Sequence, residues 1–179
     1  MERRRFVLID GHSLAYRAFY ALPAEMSTSS GQTTNAVYGF LSMLLKILED
    51  FHPYGMAVAF DREEPTFRTE KFADYKSHRP PMPPELQEQI ELIKALLERM
   101  GVVQLEMEGY EADDVLATVA KKLADRGEEA LIVTSDKDVL QLVDERIKVV
   151  ANRKGLTDVM IYDREKVEER YGVPPPAHT

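Results

Sequence analysis

Apolar residues follow two rhythms along this chain. Phe6-Val7-Leu8-Ile9, Gly55-Met56-Ala57-Val58-Ala59-Phe60 and Ala130-Leu131-Ile132-Val133 are short runs without polar alternation. That is the pattern of strands covered on both faces. The first reads as a strand ending in a turn at Asp10-Gly11, the second stops at Asp61, and the third runs through Thr134-Ser135 to Asp136. Val102–Leu105, Ile147–Ala151 and Val159–Tyr162 are weaker strand candidates. Between them the apolar positions take helical spacing. Thr34–Phe51 carries Val37, Phe40, Leu41, Leu44, Leu45 and Leu48. A helix opened by Pro84 carries Leu86, Ile90, Ile93, Leu97 and Met100 and closes at Gly101. Glu111–Arg126 carries Val115, Leu116, Val119 and Leu123 before Gly127, and Arg164–Tyr171 is a short last helix.

This alternation predicts an α/β fold, a mostly parallel central sheet flanked by helices. Such sheets bind ligands beyond the carboxyl ends of their strands, where Asp10, Asp61 and Asp136 fall. The length of 179 residues fits one domain, 1–173, followed by a disordered tail, 174–179. Arg79-Pro80-Pro81-Met82-Pro83-Pro84 reads as a stiff extended connector. With no cysteine, disulfides, zinc–thiolate sites and thiol nucleophiles are excluded. The apolar run behind Arg3-Arg4-Arg5 is too short for a secretory signal, and no stretch approaches the ~18 apolar residues of a membrane span.

Two further acidic groups join the strand-end aspartates: Glu111-Ala112-Asp113-Asp114 at a helix start, and Asp136-Lys137-Asp138. Asp10, Asp61, Glu111, Asp113, Asp114, Asp136 and Asp138 form the candidate site. Like charges gathered at one rim must take up protons or bind cations. An all-oxygen donor set suits Mg²⁺ or Mn²⁺, and the number of carboxylates is enough for two ions, the usual arrangement for in-line displacement at phosphorus. The competing reading is that these residues cap helices and turns. The net charge of −8 falls to −1 once these seven are set aside, so the rest of the chain does not repel a nucleic acid.

Basic and aromatic residues interleave after Asp61: Arg62, Arg68, Lys71, Lys76 and Arg79 with Phe67, Phe72, Tyr75 and His78. Such a mixture can hold phosphates and stack on unpaired bases, although Glu63, Glu64, Glu70 and Asp74 also fit a solvated loop. His12, Tyr16, Arg17 and Tyr20 make a second patch, with Tyr20 expected to pack on the core. The hydroxyl-rich segment Met26–Asn35 is expected to N-cap the next helix, with phosphate binding at that helix start as the alternative.

Several strings then occur together in one order. They are Leu8-Ile9-Asp10-Gly11-His12-Ser13-Leu14-Ala15-Tyr16-Arg17, Ala36-Val37-Tyr38-Gly39-Phe40, Phe67-Arg68 with Tyr75-Lys76 and Arg79, Gly109-Tyr110-Glu111-Ala112-Asp113-Asp114, and Thr134-Ser135-Asp136-Lys137-Asp138. In these the chain resembles the 5′→3′ exonuclease domain of bacterial DNA polymerase I, a relative of flap endonucleases. The resemblance runs from Phe6 to about Val173. It implies a PIN-like (resolvase-like) nuclease sheet and Mg²⁺- or Mn²⁺-dependent, two-ion cleavage of DNA at 5′ ends and flaps, in replication and repair.

By the same resemblance, Asp10, Asp61, Glu111 and Asp113 surround one ion. Asp136 and Asp138 serve the second, with Asp113 or Asp114 between. Lys76 and Arg79, on an arch spanning 62–84, grip the scissile phosphate and act with Asp10 and Asp113 in catalysis. Arg68 supports them, and Tyr75, Tyr16 and Arg17 complete the DNA contacts. A cytoplasmic, nucleoid-associated protein, fused to or working with a DNA polymerase, is implied. The family continues into a Gly-Asp-x-x-Asp-Asn-type segment and a helical clasp for duplex DNA, whereas this chain reads Pro174-Pro175-Pro176-Ala177-His178-Thr179. The second ion is therefore expected to bind weakly. The alternative is a catalytically impaired fragment that binds a DNA flap or a partner without cutting. A phosphatase of small phosphates would place Asp-x-Asp after the first strand, where this chain has Asp10-Gly11-His12.

Overall fold

The computed structural model describes residues 4–61, 82–154 and 158–171. Among them six strands form one sheet in the order β3-β2-β1-β4-β5-β6. These are β1 (Arg5–Asp10), β2 (Gly55–Ala59), β3 (Val103–Leu105), β4 (Glu129–Val133), β5 (Ile147–Lys154) and β6 (Asp158–Tyr162). All neighbours pair in parallel except β6, which runs antiparallel to β5. The three uninterrupted apolar runs make the adjacent strands β2, β1 and β4, and the weaker candidates lie outside them, so the α/β expectation holds.

The helices are α1 (Gly11–Ala21), α2 (Asn35–Phe51), α3 (Pro84–Arg99), α4 (Ala112–Asp125) and α5 (Arg164–Tyr171), with a 3-10 turn at Lys137–Leu142. Alternate residues of a strand face opposite ways, and each face has its own cover. Val7 and Ile9 pack with α1, α2 and α3, while Leu8 packs with α4 and the 3-10 turn. The chain adds β2 and β3 to one side of β1, then returns through α4 to add β4 on the other. Crossovers of one hand then place α4 on the face opposite the earlier helices. The reversal leaves a crevice beyond the ends of β1 and β4, the switch point at which such sheets bind ligands.

Two local features differ from expectation. Asp10-Gly11 is not a turn: α1 starts at Gly11, because Asp10 Oδ1 accepts the Ser13 N–H at 3.2 Å and caps the helix. A side chain at Gly11 would overlap the Phe60 ring, so the tight junction needs glycine. The start of α2 is not capped by a hydroxyl, since Thr34 makes no side-chain cap bond. The fully buried Gln89 of α3 caps it instead, its Oε1 accepting from Ala36 N (2.7 Å) and Val37 N (3.1 Å). Gln89 Nε2 donates to Asn35 Oδ1 at 2.9 Å, and Asn35 Nδ2 donates to Phe19 O at 2.8 Å.

This polar group ties α1, α2 and α3 together inside the apolar layer. Replacing Gln89 by leucine strands the Val37 N–H and leaves the Ala36 N–H and Asn35 Oδ1 only each other. A stability loss of about 2–4 kcal/mol is expected in urea unfolding, and a loss below about 0.5 kcal/mol would show that the group contributes little. Among the described residues no helix is long and apolar enough to cross a membrane.

Candidate active site

Asp10 closes β1 and is only 8% exposed. One oxygen caps α1, and the other, Oδ2, accepts from Thr134 Oγ1 at 3.2 Å, reaching across from the end of β4. Asp113, in the first turn of α4, stands within hydrogen-bonding reach of both Asp10 and Asp136, with one proton to share between them. Asp136 follows β4, and its Oδ1 accepts the Asp138 N–H at 2.9 Å to start the 3-10 turn. Asp61 lies just past β2. Its Oδ1 accepts the Ala112 N–H of α4 at 2.6 Å, and its own N–H donates to His12 Nδ1 at 3.1 Å. Asp10, Asp61, Asp113 and Asp136, distant in sequence, thus meet at the switch point.

The electrostatics follow from this crowding. Burial, with the charge of Asp61 adding to it, lifts the Asp10 carboxyl above its usual range, against the pull of the Ser13 N–H and Asp113. Asp113 is pushed up to about 9, first by burial, then by the charge of Asp10 and the contact with Asp136. Near neutral pH Asp113 therefore carries the proton that lets these carboxylates stand together. Asp113 Oδ1 is buried with no hydrogen-bond partner among the described residues. Among those residues no three acidic or imidazole side chains are arranged to hold an ion.

The capping reading holds in part. Asp10, Asp61 and Asp136 each accept a backbone N–H near a helix or turn start. Glu111 occupies the N-cap position of α4 without a side-chain cap bond and is 6% exposed. Capping does not explain why a glutamate is buried there. Asp114 is half-buried one residue beyond Asp113, and Asp138 is exposed, joined to Asp136 through its backbone N–H.

Tyr16 and Arg17 are half-buried on α1. Tyr20 is not on the core: it is 68% exposed and stacks on Tyr16 with ring centroids 6.3 Å apart. The core-facing side of α1 is filled instead by Leu14, Ala15 and Ala18. Arg68, Tyr75, Lys76 and Arg79 lie outside the described residues, as do the rest of 62–81 and the tail 174–179. Two contributors escaped the sequence reading: Thr134, and the acceptor role of His12 toward Asp61. The hydroxyl of Thr134 between a strand end and Asp136 was the available signal for the first.

The family model of the 5′-3′ exonuclease, N-terminal resolvase-like domain, matches residues 5–172. DNA polymerase I of Bacillus subtilis (strain 168) is 48% identical over 174 residues, covering 97% of this chain and 20% of that protein. The thermostable DNA polymerase I of Thermus filiformis is 44% identical over 172 residues, 96% of this chain and 20% of that protein. The chain spans about a fifth of the length of these curated relatives. Among solved structures, the bacteriophage T5 D15 flap endonuclease in a pseudo-enzyme-product complex with DNA and metal ions aligns with TM-score 0.71 and 19% identity, over 95% of this chain and 61% of that one. The catalytic core of Rad2 in complex with DNA substrate aligns with TM-score 0.53 and 20% identity, over 97% and 52%. At these identities the likeness shows the shared resolvase-like fold.

Proposed function

We propose, for a chain that belongs to the 5′-3′ exonuclease family as its N-terminal resolvase-like domain, that the acidic rim hydrolyses phosphodiester bonds at DNA 5′ ends and flaps with divalent cations. The observation that carries this is the meeting of Asp10, Asp113 and Asp136, with Asp61 adjacent, at the switch point. The chemistry of the donors suits the ions. Every donor is a carboxylate oxygen, as Mg²⁺ and Mn²⁺ prefer, and the buried Asp113 Oδ1 has a lone pair to give. Asp10, Asp61, Glu111 and Asp113 would hold one ion; Asp136 and Asp138, with Asp113 or Asp114, a second one.

When bound, such ions lower the pKa of water and neutralise charge on the phosphate. The protein's part is positioning and proton control. Asp113 would give up its proton on serving as a ligand. Asp10 is held in place from two sides by Ser13 and Thr134. Tyr16 and Arg17, on the helix that leaves the site, would stack on a base and pair with a phosphate. Lys76 and Arg79, assisted by Arg68 and Tyr75, are proposed to grip the scissile phosphate. In the relatives this segment is about a fifth of the named polymerase, so a polymerase working beside it, at the nucleoid, belongs to the same proposal.

The test is cleavage of a 5′-flap DNA by this chain. Mg²⁺- or Mn²⁺-dependent release of the flap, abolished by EDTA, is the expected result, and flap binding without cutting contradicts it. Lys76→Ala is expected to lower turnover by ~10²-fold or more while leaving the melting temperature unchanged, as befits a side chain that stabilises phosphate charge only during reaction. A melting loss with normal turnover would make Lys76 structural.

A further inference from the structure

Asp10 ends β1 and Asp136 follows β4, and besides Asp113 a second side chain joins them. Thr134 follows β4 directly and is 3% exposed. Its Oγ1 accepts the Asp136 N–H at 3.1 Å and lies 3.2 Å from Asp10 Oδ2, to which it donates. A backbone N–H can only donate, and a hydroxyl has one proton. The Asp136 bond therefore leaves the hydroxyl proton for Asp10, and the two bonds fix its direction. The β-branched side chain is also stiff about χ1, so that direction is held by the backbone of β4. A neighbouring contact spans the same two elements: Ser13 Oγ accepts the Ser135 N–H at 2.8 Å and lies 2.5 Å from Ser135 Oγ.

We propose that Thr134 is a positioning residue for ion binding. Its hydroxyl sets the orientation of the Asp10 carboxylate and, through the Asp136 backbone, the distance between the two acidic strand ends. This rests on the metal-dependent reading above. A hydroxyl suits the position because it contacts the buried Asp10 carboxylate without adding charge. Partners of this kind, once removed, typically weaken metal binding about 10–100-fold.

The experiment compares wild type with Thr134→Val, which keeps the shape and removes both bonds, and Thr134→Ser, which restores the hydroxyl. Mn²⁺ alone is titrated into each chain and free Mn²⁺ is read by paramagnetic resonance. Exchange of the Asp136 amide is measured in EDTA by NMR. Thr134→Val is expected to bind Mn²⁺ about 10–100-fold more weakly and to exchange the Asp136 amide about tenfold faster, with Thr134→Ser returning both to within about threefold of wild type. Faster exchange in Thr134→Val with wild-type Mn²⁺ affinity would make Thr134 merely structural and overturn the proposal alone. A serine variant as weak as the valine one would overturn it too. Wild-type protein that binds no Mn²⁺ would overturn the nuclease reading and this proposal together.

Discussion

Asp113→Asn is expected to cut 5′-flap cleavage by at least about 10²–10³-fold, because a proposed charged ligand of the ion is lost, and at the same time to make the metal-free protein more stable at pH 8. The second effect follows from the crowding. Burial and the charge of Asp10 raise the Asp113 carboxyl from its ordinary 3.8 to about 9. The fold thus favours the protonated acid, while the unfolded chain releases the proton near its ordinary value. Stability from this group is complete below the unfolded value and is lost progressively as pH rises toward about 9. Asparagine has the same shape and never acquires the charge. A gain on the order of 1–2 kcal/mol at pH 8, read as a higher melting temperature in EDTA, is expected. Cleavage within about tenfold of wild type would remove Asp113 from the site, and a lower melting temperature would contradict the repulsion.

The second large effect couples metal to pH. In EDTA the wild-type melting temperature is expected to fall between pH 5 and pH 8.5, for the reason just given. Millimolar Mg²⁺ or Mn²⁺ should reverse the trend, because a bound cation turns mutual repulsion among Asp10, Asp113 and Asp136 into attraction. Ion concentrations of 100 times Kd stabilise by ~2.7 kcal/mol, which for a chain of this size is roughly 5–10 °C. The shift should be larger at pH 8.5 than at pH 6, since at the lower pH the ion must displace the Asp113 proton. No shift at any pH would count against ion binding, and a shift larger at acid pH would contradict the role given to Asp113.

The parts of the fold that could be read from sequence are those decided locally. Val7, Leu8 and Ile9 are all apolar, because β1 is covered on both faces, and an uninterrupted run of that length declares such a strand. The start of α1 was misread because Asp10-Gly11 has turn chemistry. Only the close approach of Phe60, 49 residues on, shows why glycine is there. The cap of α2 was hidden for the same reason: Gln89 supplies it from another helix. A hydroxyl-rich stretch before a helix is a local signal, and the buried amide of α3 is not.

The site divides in the same way. Acidic residues at strand ends were visible as a class, since strand runs and their terminators are neighbours in sequence. Choosing Asp113 over Asp114 as the carboxylate between Asp10 and Asp136 requires the rotation of α4 against the sheet. Tyr20 was misplaced because Tyr16 and Tyr20 share a face of α1, and only the packing against α2 tells how far that face turns outward. The pairing of Asp61 with the first N–H of α4 likewise spans 51 residues.

The central claim, that the crevice between β1 and β4 gathers its acidic side chains to hold divalent cations, meets its most direct test in anomalous diffraction from crystals of this chain soaked in MnCl₂. At least one peak is expected at the ends of β1 and β4, with carboxylate oxygens of Asp10 and Asp113 as direct ligands. Well-ordered Asp10 and Asp113 with no manganese between them, or manganese only on other faces of the protein, would contradict it.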